Sequence, residues 1–113
     1  YAGLSSHPQH EIAKRLFPNG RYGAMLNFDV AGCDSREKVF RFLDALRIIL
    51  PATSLGDVYS LIVNPARSTH NWLSEDELAA IGIGGGTFRL SVGIEDEEDL
   101  REDLGQALAA VAG

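Results

Sequence analysis

The alternation of apolar and polar positions is clearest at residues 87–94. Phe88, Leu90, Val92 and Ile94 fall on one side, and Thr87, Arg89, Ser91 and Gly93 on the other. A period of two belongs to a β-strand with one buried face. The same period runs through residues 23–30, where Ala24, Leu26, Phe28 and Val30 oppose Met25, Asn27 and Asp29. Residues 58–63 are mostly apolar, which predicts a central strand.

Between these stretches the spacing becomes helical. Val39, Phe42, Leu43, Leu46, Ile49 and Leu50 form the stripe of a helix that Asp34 or Ser35 can cap and Pro51 stops. A shorter helix is predicted over 11–17, with Pro8 where it can begin and Pro18-Asn19-Gly20 ending it. Residues 64–73 read as a polar connection containing Pro65. Ser74 and Glu77 have capping-box spacing for a helix that ends at Gly82. Five consecutive acids, Glu95 to Asp99, open the last helix, where the helix dipole favours negative charge. Leu100, Leu104, Leu108 and Val111 make its buried stripe. The expected fold class is α+β: a two-layer open sheet of three or four strands covered by helices. Periodicity alone leaves antiparallel and mixed sheets both open.

Composition adds limits to this picture. At 113 residues the chain predicts one domain, and 45% hydrophobic with 23% charged residues argues against disorder. Sixteen acids against ten bases give a net charge of −6, a surface that repels phosphate backbones and anionic lipid. Nucleic acid and membrane surfaces are therefore not expected partners, and no apolar run approaches the ~20 residues of a bilayer span. The single cysteine, Cys33, cannot form an internal disulfide and fits a reducing compartment, so a cytoplasmic location is expected. The opening at Tyr1, with neither an initiator methionine nor a secretory pattern, reads as a cut piece of something longer.

Few residues carry candidate chemistry. Arg89 sits mid-strand, opposite the apolar face and beside the small Ser91 and Gly93. Its planar fork of donors suits bidentate grip of a carboxylate. A solvated strand arginine or a local ion pair fits the same pattern, and sixteen acids favour that plainer reading. Thr53-Ser54-Leu55-Gly56-Asp57 forms a turn whose amides and hydroxyl can hold a small anion, although such turns are also ordinary punctuation. His7, His10 and His70 lack the spacing of a metal set, so surface or capping roles are expected and no metal site. Cys33 has no basic neighbour in sequence that would activate it. Gly84-Gly85-Gly86 precedes a strand, whereas phosphate loops join a strand to a helix N-terminus.

Four separated segments together resemble one family. They are Tyr1-Ala-Gly-Leu with Ser6 through Arg15; Ser54-Leu-Gly with Ser60-Leu-Ile; Asn64-Pro-Ala with Ser68-Thr-His70; and Arg89-Leu-Ser-Val-Gly-Ile-Glu-Asp96. In this order they look like the C-terminal domain of the cysteine/methionine-metabolism (trans-sulfuration) group of pyridoxal-phosphate enzymes. That group includes cystathionine γ-synthase, cystathionine lyases, methionine γ-lyase and acylhomoserine sulfhydrylases, and the likeness spans essentially the whole chain. It implies that residues 1–113 form the small substrate-carboxylate-binding domain of a fold-type I, aminotransferase-like subunit. A large pyridoxal-phosphate-binding domain would lie outside this chain, and the full-length enzyme would be a homotetramer.

The implied activity is γ-elimination or γ-replacement on sulfur amino acids or activated homoserine. Arg89 would grip the substrate α-carboxylate, assisted by Ser54 with its neighbours Thr53 and Leu55. The family's Schiff-base lysine, in a Ser/Thr-Lys context, has no counterpart here, because neither Lys14 nor Lys38 fits. The chain by itself is then expected to be inactive. Thr53 stands where cystathionine-handling members often carry an acid, which leans toward a sulfhydrylase or methionine γ-lyase. Asp57 replaces the second glycine of the usual Ser-Leu-Gly-Gly, and Tyr59 stands where Glu is frequent, so fine specificity is open. The competing reading is a stand-alone α+β module that binds an amino acid or mediates oligomerisation.

Overall fold

A computed structural model describes residues 1–112. The elements are α1 (His10–Leu16), β1 (Met25–Asp29), α2 (Arg36–Ala45), β2 (Leu50–Pro51), β3 (Leu61–Val63), α3 (Glu75–Ala80), β4 (Thr87–Ser91) and α4 (Glu97–Val111), with a 3-10 turn at Pro65–Arg67. The strands form one sheet in the order β1-β4-β3-β2. β4 pairs antiparallel with both β1 and β3, while β2 runs parallel to β3, so the sheet is mixed.

One face of the sheet carries the core. Leu26 pairs with Leu90 and Leu90 with Ile62, while Phe28 pairs with Phe88. Phe42 of α2 meets Phe88 with ring centroids 4.8 Å apart. Val39, Phe42, Ile49, Ile62, Phe88 and Ala107 are almost wholly buried in one cluster that joins α2, α4 and the sheet. Burial of apolar side chains on this scale is the main favourable term in folding. The opposite face carries Met25, Asn27, Leu61, Val63, Arg89 and Ser91, as a two-residue period requires.

The helix predicted to run to Leu50 stops at Ala45. Its apolar spacing continues through Leu46, Ile49 and Leu50, but Leu46 is already extended, with φ −66° and ψ 141°. The amides of Arg47, Ile48 and Ile49 leave the helical pattern and donate to the Asp103 carboxylate at 2.7, 3.0 and 2.9 Å. Leu50 and Pro51 then form β2, the strand whose separate existence the periodicity hid. Its place at the sheet edge accommodates a proline that cannot donate to a ladder.

The predicted strands are trimmed at their ends. The central strand begins at Leu61 rather than Val58, and all three of its residues are buried. β4 ends at Ser91, so Ile94 does not share the buried face of Phe88 and Leu90 and is 82% exposed. Glu95 does not open the last helix. That helix starts at Glu97 behind Asp96, whose carboxylate accepts from the Glu98 amide at 2.9 Å. Its buried face is Asp103, Ala107 and Val111, with Leu100 and Leu104 partly buried against the core and Leu108 exposed. The stripe is therefore rotated by about one position. The capping box of α3 forms as expected, with Ser74 and Glu77 exchanging backbone-to-side-chain bonds.

Candidate functional site

The site begins with the register of β4. Arg89 lies opposite Asn27 of β1 and Val63 of β3, on the face away from α2 and α4. Its Nη2 donates to the Thr53 carbonyl at 2.9 Å and reaches the Ser54 carbonyl at 3.5 Å. The turn and the arginine, 35 to 36 positions apart in sequence, thus meet through main-chain oxygens. The guanidinium takes part in no ion pair among the described residues. Its Nε and Nη1 donors make no hydrogen bond there either. A planar cation with donors to spare, half-buried on the face of a central strand, is suited to a planar anion such as a carboxylate.

The turn is held from two sides. Gly56 has φ +73°, a left-handed value that favours glycine, and its amide donates to Ser91 Oγ at 2.9 Å. Ser91 stands two residues after Arg89 on the same face of β4, so one strand anchors both the cation and the turn. On the upstream side Leu50 and Ala52 donate to the Ser60 and Ile62 carbonyls at 3.0 and 2.9 Å. Thr53, Ser54 and Leu55 are exposed. Asp57 accepts from the Tyr59 amide at 3.3 Å, and the Tyr59 side chain is exposed.

Beyond the turn, Glu95 folds back onto the chain. It accepts from the Ser60 amide at 2.6 Å and the Ser60 hydroxyl at 2.7 Å, while the Gly93 amide donates to Ser60 Oγ at 2.9 Å. Burial alone would push the Glu95 carboxyl up, but the bonds from Ser60 outweigh it and hold the group below the ordinary glutamate value. Asp103 behaves alike. Desolvation is the largest single influence on it, yet the amides of Ile49, Arg47 and Ile48 with the Gln106 side chain together hold it low.

Sequence reading missed Ser60, Ser91, Glu95 and Asp103 as parts of this scaffold. For Asp103 a signal existed: it stands four and eight residues before Ala107 and Val111, on the arc that is buried.

The remaining candidates lie apart from the turn. Lys14 pairs with Glu11 at 3.2 Å on the exposed surface of α1, and Lys38, part-exposed in the first turn of α2, pairs with Asp34 just before that helix at 3.1 Å. Neither is placed to hold an aldehyde cofactor, so the residues of this chain do not fit a pyridoxal-phosphate anchor. His10 bonds the Ala2 carbonyl at 2.9 Å, His70 bonds Thr69 at 2.8 Å, and His7 accepts from the Gln9 amide at 3.2 Å. Cys33 is buried, and burial followed by the Asp34 charge pushes its thiol up despite Lys38. Gly86 packs tightly, since a Cβ there would lie 2.9 Å from the Cys33 carbonyl oxygen.

Known proteins resemble this chain in sequence and in fold. A family model described as Cys/Met metabolism PLP-dependent enzyme matches residues 1–109. The chain is 44% identical over 111 residues to O-succinylhomoserine sulfhydrylase of Pseudomonas aeruginosa, covering 98% of this chain and 27% of that protein. It is 47% identical over 108 residues to cystathionine gamma-lyase of Bacillus subtilis, covering 96% and 27%. Among solved structures, cystathionine gamma synthase from Xanthomonas oryzae pv. oryzae, in complex with aminoacrylate and cysteine, superposes with a TM-score of 0.84 at 41% identity. That match covers 98% of this chain and 28% of the other. The chain therefore spans about a quarter of the length of the relatives it matches.

Proposed function

The chain belongs to the Cys/Met metabolism PLP-dependent enzyme family, and from that membership we propose that it is the substrate-carboxylate-binding domain of a longer trans-sulfuration enzyme. The observation that carries this reading is Arg89, a half-buried cation with free donors beside the Ser54 turn and no acid paired to it among the described residues. Arg89 binds the α-carboxylate of an amino-acid substrate and fixes the direction in which its amino group and side chain point. Thr53 and Ser54 tether the guanidinium at Nη2 through their carbonyl oxygens, and Leu55, 55% exposed, offers an apolar edge to the substrate. Positioning of this kind lowers a barrier without any proton moving through the arginine.

The cofactor and its lysine belong to a large domain outside this chain. Support comes from the commitment of Lys14 and Lys38 to surface pairs and from the fraction of its relatives that the chain spans. Apolar side chains left exposed beside the turn (Leu55, Val58, Tyr59 and Ile94) and in the N-terminal segment (Leu4, Ile12, Leu16 and Phe17) suit contact with such a domain. The reaction of the whole enzyme is γ-elimination or γ-replacement on a sulfur amino acid or an activated homoserine. The neutral Thr53 favours a sulfhydrylase or a methionine γ-lyase within that range. The subunit assembles as a homotetramer and works in the cytoplasm without nucleic-acid or membrane partners. No helix among the described residues is long and apolar enough to cross a membrane.

The test uses the full-length protein that carries this chain, loaded with pyridoxal phosphate. Arg89→Leu should lower kcat/KM for the amino-acid substrate by about a hundredfold, the equivalent of losing one or two charge-assisted bonds. Arg89→Lys should recover part of that loss. Unchanged kinetics in Arg89→Leu would leave the chain as an interaction module and overturn the assignment.

A further inference from the structure

Asp103 is a 3%-exposed carboxylate in the middle of α4, with no cation in any ion pair to it among the described residues. Its two oxygens instead accept three consecutive main-chain amides, those of Arg47, Ile48 and Ile49. Gln106 Nε2 donates to Asp103 Oδ1 at 3.1 Å and also bonds the Ala45 carbonyl, which ties the carboxylate to the end of α2. A buried ion is costly unless hydrogen-bonded donors surround it, and here the backbone supplies them.

The position of this clasp in the chain matters more than its strength. Ile49 is followed at once by the two residues of β2, then by Ala52, and then by Thr53 and Ser54, whose carbonyls receive Arg89. The Leu50 and Ala52 amides attach this short edge strand to β3. Arg89 and Ser91 hold the turn from the other end.

We propose that Asp103 is a positioning residue for the carboxylate site: by fixing the amides of Arg47–Ile49 it sets where β2 enters the sheet and so where the Thr53–Ser54 turn stands over the Arg89 guanidinium. The inference rests on the reading of Arg89 as the carboxylate-binding group. It adds a residue on the far helix layer that acts on that group only through the main chain.

Amide hydrogen exchange and acetate titration of the 15N-labelled chain, read by NMR, test it. The ratio of exchange at the Gly56 amide, bonded to Ser91, to exchange at the Val92 amide, bonded to Ala24, separates local from global loosening. In folded Asp103→Asn this ratio should rise about tenfold, the change that losing one charge-assisted bond brings, while a purely structural role would move both amides together. Acetate, followed at Arg89 Nε, should bind more weakly in the variant, and Asp99→Asn, an exposed acid one turn earlier, should match the parent. If Asp103→Asn does not fold, Gln106→Ala should raise the same ratio by a smaller factor. An unchanged ratio in the folded variant overturns the proposal. Failure of acetate to shift Arg89 in the parent chain overturns the carboxylate reading instead, whatever the exchange ratio shows.

Discussion

Glu95 and Ser60 meet through two hydrogen bonds at once, amide to Oε1 at 2.6 Å and hydroxyl to Oε2 at 2.7 Å. This pair joins the segment after β4 to the residue that precedes β3, so the C-terminal end of β4 and the N-terminal end of β3 close on each other beside the Ser54 turn. Glu95→Gln keeps the size and can still accept from the Ser60 amide, but its second atom becomes a donor that the Ser60 hydroxyl must turn to accept, and the charge that strengthens both bonds is lost. Thermal unfolding should show a lower midpoint for Glu95→Gln than for the parent chain, because two charge-assisted bonds become neutral ones. An unchanged midpoint would mean that the charge of the carboxylate contributes nothing to the pair.

Gly93 lies where those two segments cross. A Cβ there would stand 2.2 Å from the Val58 carbonyl oxygen and 2.6 Å from the Tyr59 carbonyl carbon. Main-chain atoms cannot swing aside as a side-chain tip can, so Gly93→Ala should destabilise by about 1–3 kcal/mol, as overpacking does. Gly85 has nothing within 4 Å of its would-be Cβ, and Gly85→Ala should stay within about 0.5 kcal/mol of the parent in urea unfolding.

Acid should weaken the fold through Asp103 and Glu95. Both are held below their ordinary values in the folded chain, so the unfolded chain binds protons first as pH falls. Their contribution is complete above the unfolded pKa values of about 3.9 and 4.3 and is lost as pH drops through the lower folded values. Unfolding free energy measured from pH 6 downward should therefore decline in the parent below about pH 4.5, and decline less steeply in Asp103→Asn. Parallel curves for the two proteins would contradict this assignment.

Lys14 and Lys38 stand in exposed i,i+3 and i,i+4 pairs. Mixed with pyridoxal phosphate and treated with borohydride, this chain should give no stoichiometric adduct at either residue, as intact mass and peptide mapping would report. A single fully labelled lysine would place an anchoring site within the chain.

The sequence made the strands at Arg89 and Phe28 legible because a half-buried strand must alternate, and it made the α3 cap legible because Ser74 and Glu77 interact three residues apart. It also singled out Arg89 and the Ser54 turn, through motif order rather than through any contact between them. Local spacing could not reveal that Leu46 to Leu50 abandon a helical pattern, because the competing partner, Asp103, lies more than fifty positions away. Nor could it show that Glu95 leaves the acidic helix start to hold Ser60.

Periodicity and motif order thus fixed which faces are apolar and which residue types can meet a carboxylate. Tertiary structure alone decided where the helices end, that β2 joins the edge in parallel, and that Arg89 reaches main-chain oxygens and not an acid. Those outcomes depend on which distant donors and acceptors satisfy the backbone once water is excluded, a choice made only when the layers close.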